Sequence, residues 1–490
     1  MADDEQGVLF PPGDDGRRST AATGMAVWAD AIRGVDPALA ARIDAARDWR
    51  KDYVAAVVAH TAAATGSAQA AVDVARAGLA SLGERMRFER NGEVGTLAAA
   101  LTAPPGSDPE PPETETQYGQ GILERGLVVP YLDGMLSGDA LRRQLDAWVE
   151  RGTIEASCSH ALHRVLDEPA WLDLSDRTFA LLGAGAELGP LEPLLSWGAH
   201  VVAVDVPAPK VWDRIMATAR RSSGRLTVPA GEPGIDLLTR TPEVAAFVRE
   251  AAGDGPLTIG SYAYADGARH VQLVHASDEV IALLLRERPG TSYAELATPT
   301  DAFAVPHDIV LDSRRRWQER GWRATAQRPV QLLARGALYA PAYDTELTRT
   351  DGTQIGIADV LVPQQGPNYT LAKRVQRWRA VVAQAEGHLV SANVAPATRT
   401  RSVTKNRLLA AAYAGAGRFG VEVFDPRTSR VLMAALLVHD LRVQAPPPAH
   451  PDDLFVAAAA HGGLWRAAYS PRSVLGLAAV TGLPSALRQR

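Results

Sequence analysis

The stretch that most constrains what this chain can fold into is RTFALLGAGAELGPLEPLLSWGAHVVAVD, residues 177–205. An apolar run of strand length, residues 178–182, is followed by three glycines, and residues 188–197 then carry apolar side chains at helical spacing. A second apolar run, residues 200–204, ends at Asp205. We therefore predict a strand, a glycine turn, a helix and a second strand, which together form a βαβ unit.

The positions of the glycines and the carboxylate in this unit are typical of a mononucleotide-binding site. Gly183, Gly185 and Gly189 let the backbone turn sharply, and a helix that begins there offers N–H groups to a pyrophosphate. Asp205 lies 22 positions after Gly183, and at the tip of the second strand its carboxylate can accept both ribose hydroxyls. Because no basic residue directly follows Asp205, the pattern favours NAD over NADP.

Composition excludes several classes of protein. The 490 residues are 46% hydrophobic with a net charge of -5, and the basic residues are dispersed, so we expect no nucleic-acid partner. We find no secretory signal, no apolar run long enough to span a membrane and only one cysteine, Cys158, which together predict a cytoplasmic protein. Although His160 and His163 lie near Cys158, a structural zinc site needs four ligands, and we predict no metal site.

Composition and periodicity divide the chain into four parts. Residues 1–22 are acidic and then rich in Gly, Pro, Ser and Thr, which predicts a disordered N-terminus. Residues 23–170 predict a mainly α-helical domain, interrupted by a Pro/Glu-rich linker at residues 103–116. In residues 171–445 strands alternate with helices, which predicts an α/β, Rossmann-like dinucleotide-binding domain: a doubly wound parallel sheet with helices on both faces. Residues 446–490 form a C-terminal tail.

A second group of chemically informative residues lies near residue 366. Tyr369 and Lys373 are four residues apart on a predicted helix that runs to about residue 386, so they project from one face on successive turns. A nearby ammonium favours the phenolate and lowers the tyrosine pKa, which suits proton transfer to or from a substrate oxygen. An apolar strand, residues 389–394, follows the helix.

Taken in order, these motifs resemble those of the short-chain dehydrogenase/reductase family over about residues 175–445. The family's glycine turn, Thr-Gly-x-x-x-Gly-x-Gly, is similar to residues 182–189, and its ribose-binding acidic residue falls on Asp205. Its Tyr-x-x-x-Lys motif matches the pair described above, and its Asn-x-Val-Ala-Pro-Gly loop resembles residues 393–397.

The resemblance implies that Tyr369 is the general acid/base, that Lys373 also binds the nicotinamide ribose, and that the substrate is a small carbonyl compound or alcohol. It implies NAD as cofactor, with NADP second. The cofactor-contacting residues that it indicates are Gly183, Gly185, Glu187, Leu188, Gly189, Asp205, Asn393 and Pro396. Domains of this type often pair through the helix that bears the tyrosine, so we expect a homo-oligomer.

The chain departs from the family pattern at several points. Glu187 replaces the middle glycine of the turn, and Gly-Ser-Tyr-Ala-Tyr, residues 260–264, replaces the family's Asn-Ala-Gly. The serine expected about a dozen residues before Tyr369 is missing, and we assign its hydroxyl-donor role to Thr353, the nearest upstream hydroxyl. The long distance from the glycine turn to the tyrosine predicts an insertion at about residues 270–350, which could form a lid over a substrate.

Three functional hypotheses follow. The leading one is an NAD(P)-dependent oxidoreductase that interconverts a carbonyl and a secondary alcohol. The second is a Rossmann-fold ligand-binding or scaffold protein that lacks hydride chemistry, because of the departures from the family pattern. The third is an S-adenosylmethionine-dependent methyltransferase, which would use the glycines and Asp205 but would leave Tyr369 and Lys373 without a role.

Overall fold

The computed structural model describes residues 6–13, 15–102, 110–231 and 234–488. The strands, in chain order, are β1 (Gly7–Leu9), β2 (Arg87–Arg90), β3 (Glu93–Gly95), β4 (Thr114–Tyr118), β5 (Val129–Tyr131), β6 (Gly134–Leu136), β7 (Thr178–Leu182), β8 (His200–Val204), β9 (Arg225–Pro229), β10 (Leu257–Ser261), β11 (Ser292–Ala297), β12 (Ala302–Pro306), β13 (Glu346–Thr348), β14 (Gln354–Asp359) and β15 (Val390–Val394). The α-helices are α1 (Thr20–Arg33), α2 (Pro37–Asp44), α3 (Trp49–Ala64), α4 (Ala68–Arg85), α5 (Leu97–Leu101), α6 (Gly138–Arg151), α7 (Ala156–Asp167), α8 (Leu191–Ser196), α9 (Pro209–Arg221), α10 (Thr241–Ala251), α11 (Ala268–Glu287), α12 (His307–Gln318), α13 (Trp322–Leu333), α14 (Gly366–Ala385), α15 (Arg401–Lys405), α16 (Arg407–Gly415), α17 (Pro426–Val443) and α18 (Pro471–Arg488).

A seven-stranded sheet forms the centre of the fold, in the order β15-β11-β10-β7-β8-β9-β4. The first six strands of that order are parallel, and β4 runs antiparallel beside β9 at the edge. Alternate residues of β7 enter two apolar cores: Ala180 and Leu182 pack with α11 and α14, and Phe179 and Leu181 pack with α7 and α17. Both faces of the sheet are therefore covered by helices, and the predicted α/β class is confirmed.

The glycine turn, residues 183–189, is followed by a shorter helix than the sequence predicts. The predicted strands at residues 178–182 and 200–204 coincide with β7 and β8, but α8 begins only at Leu191. Pro190 precedes α8, and the residues before it form a wide turn in which the N–H of Ala186 donates to the carbonyl oxygen of Gly183. The turn itself, rather than a long helix, lies beyond the end of β7.

The prediction of a disordered N-terminus is wrong for the described residues before position 23. Residues 1–5 and 14 lie outside the described part of the chain. Val8 is buried in β1, which pairs with β2, and the Ser19 hydroxyl caps α1 by accepting the N–H of Ala22 at 3.2 Å. A three-residue strand contains too few apolar residues to be recognised among acidic and proline-rich neighbours.

The predicted linker at residues 103–116 also needs correction. Residues 103–109 lie outside the described residues, but Thr114 begins β4, which adds an antiparallel edge to the central sheet. The hydroxyl groups of Thr116 and Thr227 are 2.9 Å apart across the β4–β9 pair. Because this strand is polar and mostly exposed, as suits an edge, it has no apolar pattern by which a sequence could reveal it.

The N-terminal helices α1, α3 and α4 cover α14, the helix that bears Tyr369. Helix α4 packs closely on it, and the rings of Trp28 and Trp378 lie 5.6 Å apart, edge to face. The N-terminal helices therefore share a core with the sheet. Two chains cannot pair through α14, because helices of the same chain cover it. A homo-oligomer remains a prediction, but it would have to form through another surface.

The insertion is narrower than predicted. Helix α11 and strand β11 belong to the central sheet unit, and the added elements run from β12 to β14. They comprise a three-stranded sheet of order β12-β14-β13 together with α12 and α13. The insertion therefore separates β11 from α14, two elements that are adjacent in the fold.

The C-terminal residues end in α18, which packs tightly on α16. A Cβ atom on Gly415 would lie 2.0 Å from the carbonyl oxygen of Ala478, and one on Gly482 would lie 2.0 Å from that of Ala411, so glycine permits this approach. No helix within the described ranges combines the length and the apolar character needed to cross a membrane.

Replacing Gly78 of α4 by alanine should destabilise the protein. The new methyl group would lie 2.4 Å from the Trp378 ring, and overpacking of this kind costs about 1–3 kcal/mol. Gly83, in the same helix, is the matched control, because its Cβ would meet only the flexible end of Glu279 at 3.2 Å. Urea denaturation followed by circular dichroism should give a lower midpoint for Gly78→Ala than for Gly83→Ala. Equal midpoints would contradict this packing.

Candidate functional site

A cavity of about 910 Å³ lies at the carboxyl ends of the parallel strands. From β7 the chain builds the sheet outward through β8 and β9, and it then returns to build the other side through β10, β11 and β15. Such a reversal leaves a crevice beyond the strand ends, where ligands bind in open α/β sheets. The residues that line the cavity come from the segments that follow β7, β8, β10, β11 and β15.

Two glycines of the turn are required by close contacts within the protein. Gly183 has a φ of +88°, and a Cβ atom there would lie 2.4 Å from the Cα of Ala263, in the segment after β10. A Cβ atom on Gly185 would lie 2.7 Å from Val211 and 3.1 Å from an oxygen of Asp205. The glycines therefore let the turn fit between its neighbours as well as face the cavity.

Asp205 holds the glycine turn in place. Its Oδ2 accepts the N–H of Gly185 at 2.7 Å, and its Oδ1 accepts the N–H of Val206 at 2.8 Å. Burial raises the pKa of Asp205, while these two backbone bonds and the charge of Arg214 lower it. Asp205 also lines the cavity, and since each carboxylate oxygen has two lone pairs, it can still accept a ligand hydroxyl.

Glu187 is tied to the opposite wall of the cavity. Its Oε2 accepts the backbone N–H of Arg401 at 2.8 Å, and its carbonyl oxygen accepts Nη2 of Arg430 at 2.9 Å. Among the described residues, the consecutive backbone N–H groups of Glu187 and Leu188 have no acceptor. Consecutive free N–H groups at a turn suit an anionic oxygen.

Tyr369 and Thr298 meet in the cavity. Thr298 directly follows β11, and it lines the cavity together with Tyr369. Burial raises the pKa of Tyr369 to about 12, although the Thr298 hydroxyl lowers it. The hydroxyl of Thr298 is also 2.9 Å from that of Thr300, which accepts Nε2 of Gln365 at 2.8 Å. A chain of polar groups therefore runs from Gln365 through Thr300 to Thr298.

Thr353, predicted to supply this hydroxyl, lies elsewhere. It is exposed in the turn between β13 and β14, its backbone bonds to Asp351 and Arg349, and it does not line the cavity. Thr298 was missed because the insertion places it 71 positions before Tyr369. The available signal was a threonine directly after a strand, but the strand itself, β11, was not recognised.

The sequence predicts that the ammonium of Lys373 acts on Tyr369, but its hydrogen bonds go to other residues. Its ammonium donates to Oε1 of Gln376 at 2.7 Å and to the carbonyl oxygen of Leu296 at 3.4 Å. Burial lowers the pKa of Lys373. The predicted lowering of the Tyr369 pKa by Lys373 is wrong, because burial of the phenol dominates and Thr298 is the group that opposes it.

Of the two residues predicted in the loop after β15, only Pro396 lines the cavity. Asn393 lies inside β15 and is buried, where its Nδ2 donates to Oγ of Ser391 at 3.0 Å and to Oδ2 of Asp440 at 2.9 Å. Successive residues of a strand face opposite sides of a sheet, and this side chain faces α17. Asn393 therefore positions α17, and a cofactor contact by its side chain is not supported.

His270, which the sequence did not single out, stacks on Tyr369 in the cavity wall. The two rings are 5.7 Å apart and 16° from parallel. Nδ1 of His270 accepts the N–H of Ala265 at 3.3 Å, which assigns the proton to Nε2. Burial, together with Lys373, lowers the pKa of His270 to about 3. The ring is therefore neutral, and its Nε2 has no acceptor among the described residues.

The insertion does not form the predicted lid. No residue from 301 to 363 lines the cavity, and α15 bounds its mouth instead. The N–H of Arg401 at the start of α15 bonds to Glu187, and the ammonium of Lys405 at its end lies 3.3 Å from Oδ2 of Asp266. Helix α15 thus links the glycine turn to the segment after β10.

No protein-family model matches the chain, and no curated protein matches it. Within the described part of the chain, no three His, Cys, Asp or Glu residues are grouped so as to hold a metal ion. Cys158 is buried, and burial raises the pKa of its thiol. The geometry of the cavity is therefore the basis for a functional proposal.

His270 should remain a neutral Nε2–H imidazole from about pH 8 to about pH 5. The pKa of His270 in the folded protein lies below its value in the unfolded chain, so the unfolded chain binds the proton first as the pH falls. Acid therefore lowers the stability of the folded protein, while the ring in the folded protein stays neutral. Nitrogen-15 NMR of histidine-labelled protein, assigned with His270→Gln, measures the tautomer and the charge. An Nδ1–H tautomer, or protonation in the folded state near pH 6, would contradict this environment.

Proposed function

We propose that this chain is an NAD(P)-dependent oxidoreductase that interconverts a carbonyl and a secondary alcohol. The observation that carries the proposal is that Tyr369, Thr298 and Lys373 line the same cavity as the glycine turn and Asp205. Two motifs that lie more than 150 positions apart in the chain thus meet at one site. A site of this type needs a proton donor beside a nucleotide-binding turn.

The strand order supports a Rossmann-like fold. If the six parallel strands are numbered in chain order from β7, their spatial order is 3-2-1-4-5-6, and the reversal between β7 and β10 is the usual place for a dinucleotide. Helix α14, with Tyr369 in its first turns, follows β11 and precedes β15. This arrangement favours the short-chain dehydrogenase/reductase resemblance.

The cavity residues fit a nicotinamide dinucleotide. The free N–H groups of Glu187 and Leu188 suit an oxygen of the pyrophosphate, and Asp205 suits the hydroxyls of the adenosine ribose. Basic side chains in the lining outnumber acidic ones: Arg214, Arg221, Lys373, Arg401, Lys405 and Arg430 against Glu187, Glu192, Asp205 and Asp266. Because Asp205 would repel a 2'-phosphate, we favour NAD, and the bound nicotinamide would donate or accept the hydride.

The three polar residues at the other end of the cavity would handle the proton. With a pKa of about 12, Tyr369 keeps its phenolic proton at neutral pH and can donate it to the oxygen of a carbonyl substrate. Thr298 then stabilises the phenolate, since its hydroxyl lowers the pKa of Tyr369 and so favours the charged form. Lys373 lines the same end of the cavity, and its ammonium, whose pKa is lowered by burial, donates to Gln376 and to the carbonyl oxygen of Leu296.

Two observations weaken the hypothesis of a ligand-binding or scaffold protein without hydride chemistry. Thr298 supplies a hydroxyl at Tyr369 in place of the missing serine, and the carboxylate of Glu187 is engaged by the Arg401 backbone instead of standing free against a pyrophosphate. A methyltransferase would leave Tyr369 and Lys373 without a chemical task. The oxidoreductase is therefore the function that the geometry supports best.

Thr298→Val should lower the rate of NADH-dependent carbonyl reduction by about 10²-fold, and Tyr369→Phe should lower it at least as far. A panel of aldehydes and ketones, assayed by loss of reduced-nicotinamide absorbance, identifies a substrate for the wild type. Thr298→Ser retains the hydroxyl and should retain activity. Thr353→Val is the matched control, because it removes an exposed hydroxyl outside the cavity, and its activity should be unchanged. Full activity of Tyr369→Phe would refute the assignment of the acid.

A further inference from the structure

Helix α13, in the insertion, presents its apolar side to solvent. Trp322 is 77% exposed, Leu332 71% and Leu333 86%, and none of the helix is buried. An ordinary surface helix turns its apolar stripe toward the core. Trp322 and Leu333, eleven positions apart, fall within about 20° of each other around a helix, so they share the outward face.

The polar side of α13 is the side that contacts the protein. Gln327 exchanges hydrogen bonds with the Tyr469 hydroxyl at 2.9 and 3.0 Å, and Nε2 of Gln331 donates to the carbonyl oxygen of Tyr339 at 3.2 Å. Its half-buried residues recur at three- and four-residue spacing: Ala324, Gln327 and Gln331. The outward orientation of the apolar side is therefore fixed by hydrogen bonds on the inner side.

Unpaired arginines accompany this apolar face. The segment from residue 320 to residue 343 contains four arginines and no aspartate or glutamate; the nearest carboxylates along the chain are Glu319 and Asp344, at its two ends. Arg320 is engaged, because its guanidinium lies 3.3 Å from the centre of the Trp317 ring. The other three, Arg323, Arg328 and Arg335, have no carboxylate partner among the described residues.

The neighbouring helix α12 provides a contrast. Arg314 pairs with Glu346, and Arg315 and Arg316 both pair with Asp312. Arginines on α12 are thus neutralised within the protein. Those on α13 are left for an external anion, and Arg323 and Arg328 flank the outward apolar face on its two sides.

We propose that α13 binds the surface of a membrane that contains anionic phospholipids. Trp322, Leu332 and Leu333 enter the boundary between headgroups and acyl chains, while the flanking arginines contact the phosphates. A tryptophan and leucines framed by arginines, with no acidic residue between them, match the chemistry of such a surface better than that of a protein partner. The cavity lies elsewhere, so this binding does not depend on the proposed oxidoreductase function.

Vesicle co-sedimentation of the full chain tests the proposal. The protein should bind vesicles of phosphatidylcholine with phosphatidylglycerol, and should bind pure phosphatidylcholine at least about tenfold more weakly. Rising salt should weaken the binding, since the contact is partly electrostatic. The variants Trp322→Ala with Leu333→Ser, and Arg323→Gln with Arg328→Gln, should each weaken it by about tenfold or more.

The matched control is Leu311→Ser with Arg315→Gln on α12, which also removes one exposed leucine and one exposed arginine. It should bind like the wild type. The α13 variants alter exposed side chains and should fold normally, which the apparent melting temperature checks. Absence of vesicle binding, binding that the α13 variants leave unchanged, or a dimer in sedimentation velocity that the α13 variants dissociate without any vesicle binding would each overturn the proposal.

Discussion

The candidate site depends on one buried carboxylate, that of Asp301. Its two oxygens accept Nη2 of Arg374 at 2.9 Å and Nη1 of Arg377 at 2.7 Å, and all three side chains are buried. Buried charges are tolerated only when they are paired, so Asp301 and α14 cannot separate without leaving charges unpaired in the core. Because Asp301 lies three residues after Thr298, the same interaction fixes the end of β11 against the helix that bears Tyr369. The hydroxyl and the phenol meet as a consequence.

The N-terminal helices complete this arrangement from the other side. Arg374 also donates to the hydroxyl of Thr61 at 3.1 Å, and its guanidinium lies 5.2 Å from the centre of the Trp28 ring. The helical region therefore helps to shield the buried ion pairs, in addition to covering α14. In this chain, the tyrosine-bearing helix is covered by helices of the same chain.

Local patterns predicted local structure well. Strands β7 and β8, the glycine turn with Asp205, and the helix that places Tyr369 and Lys373 one turn apart were all read from periodicity and spacing. The predictions that failed concern contacts between residues that are far apart in the sequence. The spacing of the family motif assigned the hydroxyl to Thr353, because no local sequence pattern reveals that the fold brings Thr298 near the phenol. The edge strand β4 was missed because it is polar and has no apolar pattern. The direction of the Tyr369 pKa shift could not be predicted either, because it is set by burial among residues distant in the sequence, such as Tyr264 and His270.

We propose that the cavity beside the glycine turn binds a nicotinamide dinucleotide. Isothermal titration calorimetry of the full chain with NADH, NADPH and S-adenosylmethionine in parallel tests it most directly, with Asp205→Asn as the variant that alters the turn and the ribose contact while preserving size. We expect micromolar binding of NADH, weaker binding of NADPH, marked loss of NADH binding in Asp205→Asn, and no heat from S-adenosylmethionine. Binding of S-adenosylmethionine alone, or of none of the three, would contradict it.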